Sequence, residues 1–195
     1  MKIDFCRAFL LFVVLAAGCG RYSYQDFDRL RTACKDGDVE IVEKLLKAHP
    51  ALVKANYKAQ GGDTVLFVAA ANGRLEVAKT LLKHKSDVNA RDNNGNTPLI
   101  AASRTEQREV VEHLLANGAN VNAAGDTGLT PLHWFATYGN KEAVEMLLSK
   151  GANINAQAVG RAAGMTPLDF AIQKNHTEVI AVLRAHGAKK GSEIK

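Results

Sequence analysis

Leucine recurs along this chain with a fixed period. Aligned on Leu30, Leu66, Leu99, Leu132 and Leu168, the spacings are 36, 33, 33 and 36 residues. Seven residues after each Leu stand Gly37, Gly73, Glu106, Gly139 and Asn175. Fifteen residues after each Leu begins a pair: Leu45-Leu46, Leu81-Leu82, Leu114-Leu115, Leu147-Leu148 and Leu183-Arg184. Such a period marks stacked repeats, and each repeat predicts two helices. In Thr97-Pro98, Thr130-Pro131 and Thr166-Pro167 a hydroxyl precedes a proline. The hydroxyl caps a helix N-terminus, and the proline's missing N–H costs nothing at the first helical position. A short Ala-rich helix follows and stops at Gly or Asn, which tolerate a left-handed cap. In Val110-Val111-x-x-Leu114-Leu115 the apolar positions recur at three and four, the mark of one face of a second helix. Asn-Gly, Gly-Gly or Thr-Gly then predicts a tight turn before the next Thr. No unit can bury its apolar face alone, so the predicted core is the stack itself.

The units also share a consensus. It runs Asp92-x-x-Gly95-x-Thr97-Pro98-Leu99-x-Ala101-Ala102 in one unit and Gly128-x-Thr130-Pro131-Leu132-His133 in the next. Three units close on Ser86-Asp87-Val88-Asn89-Ala90, Ala119-Asn120-Val121-Asn122-Ala123 and Ala152-Asn153-Ile154-Asn155-Ala156. On these motifs the chain resembles the ankyrin-repeat family over about residues 26–189. The resemblance implies an all-α solenoid of about five helix-turn-helix units with short β-turn fingers. The units run over about 26–59, 60–92, 93–125, 126–161 and 162–189, with a polar tail at 190–195. Unit one lacks Thr-Pro and carries Arg29, Arg31 and Lys35, as an N-terminal cap would. Unit five has Arg184 for the second Leu and ends in Lys189-Lys190, fitting a C-terminal cap. In unit three Arg104-Thr105-Glu106 stands where Gly is expected, which predicts a non-standard turn between its helices. Two three-residue insertions lengthen the links around Pro50–Tyr57 and Gly160–Gly164.

One apolar stretch lies outside the period. Lys2 and Arg7 precede an uncharged apolar run from Ala8 to Ala17. Those residues would span about 15 Å as a helix, too short for a stable membrane span and suited to the h-region of a secretory signal. Leu15-Ala16-Ala17-Gly18-Cys19 resembles the lipobox of bacterial lipoproteins, with Asp4 and Ala16 as small departures. The resemblance implies removal of residues 1–18, a diacylglycerol on the Cys19 sulfur, and acylation of the freed amine. Each buried methylene of that anchor contributes about 0.8 kcal/mol. Residues 19–25 would form a tether whose free part reaches about 20 Å. Gly20 stands where retention in an inner membrane takes Asp, which favours an outer membrane facing the periplasm. An ordinary signal peptide with an incidental Cys is the alternative. Of three Cys, only Cys34 then remains in the folded part, so the exported domain rests on packing without an intramolecular disulfide.

Charge and chemistry narrow the function classes. Without residues 1–18 the chain carries 23 basic and 19 acidic side chains, net +4. The charges are interspersed, with no cluster of four Lys or Arg, so nucleic acid is not an expected partner. His49, His84, His113, His133, His176 and His186 show no metal-ligand spacing with Cys or carboxylates, and no metal or cofactor is expected. The family resemblance implies a structural hydrogen-bonding role for His133. Cys34 falls where the repeat has a small Ala and reads as a buried, inert thiol. No nucleophile elbow, phosphate loop or dinucleotide fingerprint is present. Stacked helices with short turns offer no deep pocket, so neither catalysis nor a small-molecule substrate is expected.

The resemblance implies instead a concave surface that binds another protein, built from the fingers and the exposed edge of each first helix. By offset from the aligned Leu, the fingers carry Gln60 and Asp63, then Asn93, Asn94 and Asn96, then Asp126, Thr127 and Leu129, then Arg161 and Met165. The helix edges carry Lys35 and Asp36, Ala71 and Asn72, Arg104 and Thr105, Thr137 and Tyr138, and Gln173 and Lys174. Tyr138 is the foremost anchor, flanked by Arg104 and Leu129, since Tyr and Arg are favoured at interface centres. Trp134, one turn earlier, extends that patch or packs between repeats where the family has Leu; packing is the favoured reading. Arg161 marks a contact loop or tolerated length variation. The expected protein is monomeric alone, held in a bacterial envelope, and scaffolds or stabilises a protein partner. The alternative is an immunity or inhibitor protein that neutralises a toxic envelope-acting enzyme.

Overall fold

The computed structural model describes residues 22–56 and 61–194. Among them ten α-helices form five pairs. These are α1 (Tyr24–Asp36) with α2 (Val39–Ala48), α3 (Val65–Ala71) with α4 (Leu75–Lys83), and α5 (Pro98–Arg104) with α6 (Arg108–Ala116). Then follow α7 (Pro131–Tyr138) with α8 (Lys141–Ser149), and α9 (Pro167–Gln173) with α10 (Thr177–Ala185). The described residues hold no strand beyond an isolated antiparallel bridge between Asn56 and Thr64. The all-α solenoid expected from the sequence is the fold. Cys19, its lipobox and Gln60 lie outside the described residues.

Local chemistry sets each first helix. The Thr64 and Thr97 hydroxyls accept the N–H of Phe67 and Ile100, and Thr130 and Thr166 form capping boxes with His133 and Asp169. Each first helix packs on the next along the inside of the stack, where Ala69, Ala70, Ala101, Ala102, Ala136 and Ala171 are buried. These small residues let inner helices approach more closely than outer ones, so the stack curves with α1, α3, α5, α7 and α9 on its concave side. The five aligned Leu residues are all buried, as is the first Leu of each outer-helix pair. Each such side chain contributes about 1.5–3 kcal/mol by leaving water.

The structure departs from the expected pattern in four places. α1 starts at Tyr24 and takes in two residues assigned to the tether, because Ser23 caps it in a capping box with Asp26. The link after α2 is a 3-10 turn, Pro50–Lys54, that buries Leu52 and Val53 in the core. The inter-helix turn of unit three is standard after all. Glu106 takes φ 58°, close to the 68° of Gly73 and the 78° of Gly139, and Asn175 does the same at 59°. The backbone bonds of Glu106 N–H to Ser103 C=O and Gln107 N–H to Ala102 C=O hold the exposed Glu106 in a left-handed conformation that costs about 1–2 kcal/mol without glycine. Finally, the polar tail is docked: it forms a 3-10 turn at Gly191–Glu193 against unit five.

Candidate protein-binding face

The fingers are laced into one ribbon. The N–H of Asn93 donates to Gly61 C=O at 2.8 Å, that of Asp126 to Asn94 C=O at 2.9 Å, and that of Val159 to Thr127 C=O at 2.8 Å. At their roots, Asn89 Oδ1 accepts the Asn120 N–H and Asn122 Oδ1 accepts the Asn153 N–H, at 2.8 and 2.6 Å. Within the second finger, Asp92 Oδ1 accepts the N–H of both Asn94 and Asn96. Asn93, Asn94 and Asp126 are all exposed along this ribbon. Asp63 is half-buried nearby. Burial raises its carboxyl pKa and Asp92 adds to the rise, while Arg31 and Arg104 oppose it.

The inner-helix edge obeys a second rule. At three of the four junctions the carbonyl five residues after the aligned Leu accepts a donor from the following unit; between units two and three the corresponding Gln107 amide donates to Thr105 C=O of its own unit instead. Lys35 C=O takes Arg74 Nε at 2.8 Å, Arg104 C=O takes the Tyr138 hydroxyl at 2.8 Å, and Thr137 C=O takes His176 Nε2 at 2.9 Å. Tyr138 thus has two faces. Its hydroxyl ties α7 to the end of α5, while its ring remains 36% exposed. Burial raises the pKa of that hydroxyl, with the Glu106 carboxylate adding and Arg104 opposing.

Trp134 stacks on Tyr138, ring centroids 6.2 Å apart and 23° between planes. It is half-buried, so it both packs and extends the patch, and its indole Nε1 is buried with no hydrogen-bond partner among the described residues. Arg104 is exposed beside the pair. Thr137 contributes less than expected, because it is half-buried and its hydroxyl donates to His133 C=O at 2.7 Å. Leu129 and Met165 are half-buried on their fingers, and Arg161 is exposed on the 3-10 turn Gly160–Ala162.

Two residues of this face escaped the sequence reading. Phe170 is half-buried and packs edge-on against His133 at 5.5 Å, and its offset from Leu168 equals that of Trp134 from Leu132. That shared offset was the available signal. Val159 is 49% exposed 27 residues after Leu132, the offset that Asn93 and Asp126 hold from Leu66 and Leu99, so the period marked it too.

A helical-repeat solenoid with laced fingers and an exposed Tyr138 stacked on a half-buried Trp134 on its concave side is a protein-interaction module. The chain belongs to the ankyrin-repeat family: the family model described as ankyrin repeats (3 copies) matches residues 30–125 and 122–194. The chain is also similar to the probable E3 ubiquitin-protein ligase XBOS33 of Oryza sativa subsp. japonica, at 41% identity over 66 residues. That match takes in 33% of this chain and spans only 12% of the length of that relative.

Proposed function

We propose that this chain is a lipid-anchored ankyrin module of a bacterial envelope that holds a protein partner on its concave face, as a scaffold or stabiliser and not as an enzyme. The observation that carries the binding surface is the exposed Tyr138 ring stacked on the half-buried Trp134, beside Arg104. At the Tyr138 offset the other units have Asp36, Asn72, Thr105 and Lys174, so the aromatic concentration belongs to unit four. Aromatic residues with Arg are the favoured anchors of protein interfaces. The anchor rests on the run Ala8–Ala17 followed by Gly18-Cys19, and two or three acyl chains on Cys19 would make it stable.

The test is affinity capture from envelope extract with the wild-type chain and with a Tyr138→Ala, Arg104→Ala double variant, read by quantitative mass spectrometry. A partner retained by the wild type and depleted at least tenfold by the variant supports the concave face. Equal recovery with both chains excludes it. Fractionation of a Cys19→Ser variant tests the anchor separately: the protein should leave the membrane fraction, and its retention there would rule the lipid out.

A further inference from the structure

The last residues of the chain do more than cap a helix. Up to Lys189 they follow the finger pattern: the Lys189 N–H donates to Asn155 Oδ1 at 2.8 Å, as Asn120 and Asn153 donate to Asn89 and Asn122. Beyond that point the chain turns back on the preceding finger. Lys189 C=O accepts the Thr166 hydroxyl at 2.8 Å, and the Gly191 N–H donates to Asp169 Oδ2 at 2.7 Å. The Lys190 N–H donates to Glu193 Oε2 at 2.9 Å and closes the turn. Gly191 lies so close to the inserted loop that a Cβ there would fall on the Gly164 carbonyl.

Asp169 explains why this end differs from the others. It occupies the offset of His133, one residue after the aligned Leu. In unit four His133 Nε2 donates to a carbonyl of the following finger, Met165 C=O, at 3.3 Å. In unit five the following segment presents an N–H instead, and a carboxylate is the group that accepts it. The exchange of imidazole for carboxylate matches the exchange of finger for strap.

From this we infer that residues 189–194 are a strap that positions the inserted finger, Ala158–Met165, which bears Val159 and Arg161. The strap takes the place of a following finger but not of a following inner helix. An open cleft of about 560 Å³ beside Met165, Ile172, Gln173 and Ser192 remains where that helix would lie. Its support is therefore local. It reaches the finger through Gly164, the adjoining cap through Thr166 and the first turn of α9 through Asp169, and leaves the contacts of α9 and α10 with unit four untouched. This concerns the fold, and stands or falls independently of partner binding on the concave face.

Hydrogen–deuterium exchange of the full chain tests it. Gly191→Ala forces the strap off Gly164, and a chain stopped after Lys189 removes it, while Asp169 and its helix cap stay intact in both. Each variant should raise exchange in peptides spanning 158–166 about tenfold, with peptides of α9, α10 and units one to three unchanged. A Ser192→Ala control at an exposed strap position should behave as wild type. Unchanged exchange in 158–166 in both variants overturns the inference. So does a rise spread through α9 and α10, since that would make the strap a cap of the whole unit.

Discussion

His133 is the group whose charge state the fold most directly dictates. It is 1% exposed. Its Nδ1 accepts the Thr130 N–H at 3.1 Å and lies 2.9 Å from the Thr130 hydroxyl, while Nε2 donates to Met165 C=O. Both ring nitrogens are thus used by the neutral imidazole, and a proton on Nδ1 would face an N–H donor. Burial pushes the pKa down from 6.5 to about 4, against smaller opposing contributions from backbone carbonyls. The unfolded chain binds this proton near pH 6.5 and the folded chain only near pH 4. Stability contributed by the neutral ring is therefore complete above about pH 6.5 and is lost as pH falls toward 4. The loss amounts to about 2 kcal/mol at pH 5 and about 3 kcal/mol at pH 4. Urea unfolding followed by circular dichroism, at pH 7 and pH 4, would measure it in the wild type and in His133→Gln. Carboxylates such as Asp26, whose pKa is lowered chiefly by hydrogen bonds from Ser23, titrate alike in both proteins and cancel. The wild type should lose about 3 kcal/mol more than the variant. Equal losses, or a His133 ring resonance that titrates near pH 6.5 in the folded protein, would refute the argument.

Glu106→Gly should raise stability by about 1 kcal/mol, read as a higher urea midpoint, because glycine relieves the left-handed backbone at φ 58° at some entropic cost. Tyr138→Phe should lower stability by about 1 kcal/mol, since it removes the hydroxyl that satisfies Arg104 C=O and keeps the ring; no change would show that water replaces the bond. Cys34 is fully buried and its thiol is pushed up to about 12 by burial. Iodoacetamide at pH 8 should therefore modify it only after denaturant is added, and rapid labelling of the native chain would contradict that burial.

Most of the fold was legible because the repeat states each instruction several times. Leu30 to Leu168, the Thr-Pro caps and the outer-helix Leu pairs all fall where the period places them. The misjudged places are single occurrences. Ser23 caps α1 without a Thr-Pro motif, and Gly191 docks because of a carboxylate introduced at one offset. Glu106 breaks the consensus in sequence but not in structure, since its turn closes with the same backbone bond, Gln107 N–H to Ala102 C=O, that Arg74 N–H makes to Ala69 C=O after Gly73. On the candidate face the sequence located Tyr138, Trp134 and Arg104 together. It could not reveal that the Tyr138 hydroxyl reaches back to Arg104 C=O, because that bond depends on the distance between layers. Val159 stands at the finger offset of Asn93 and Asp126, so the period located it as well, but its degree of exposure is visible only in the structure.

The aromatic pair is best understood from its cost. Trp134 holds a buried indole N–H without a partner among the described residues, a penalty of about 1–3 kcal/mol for an unsatisfied donor. Leu, which the family resemblance implies at this offset, would fill the space between repeats with no polar group to desolvate. Packing alone therefore does not account for Trp134. What the indole adds over Leu is a flat surface stacked on Tyr138, extending an aromatic patch on a concave side already fixed by the finger ribbon and the carbonyl ties. A surface held in place before a partner arrives loses little freedom on binding, and rigid aromatic contacts then contribute most of the affinity. Trp134→Leu should accordingly leave the urea midpoint unchanged or higher while weakening capture of a partner. A variant that unfolds more easily yet still holds its partner would mean that the indole serves the core.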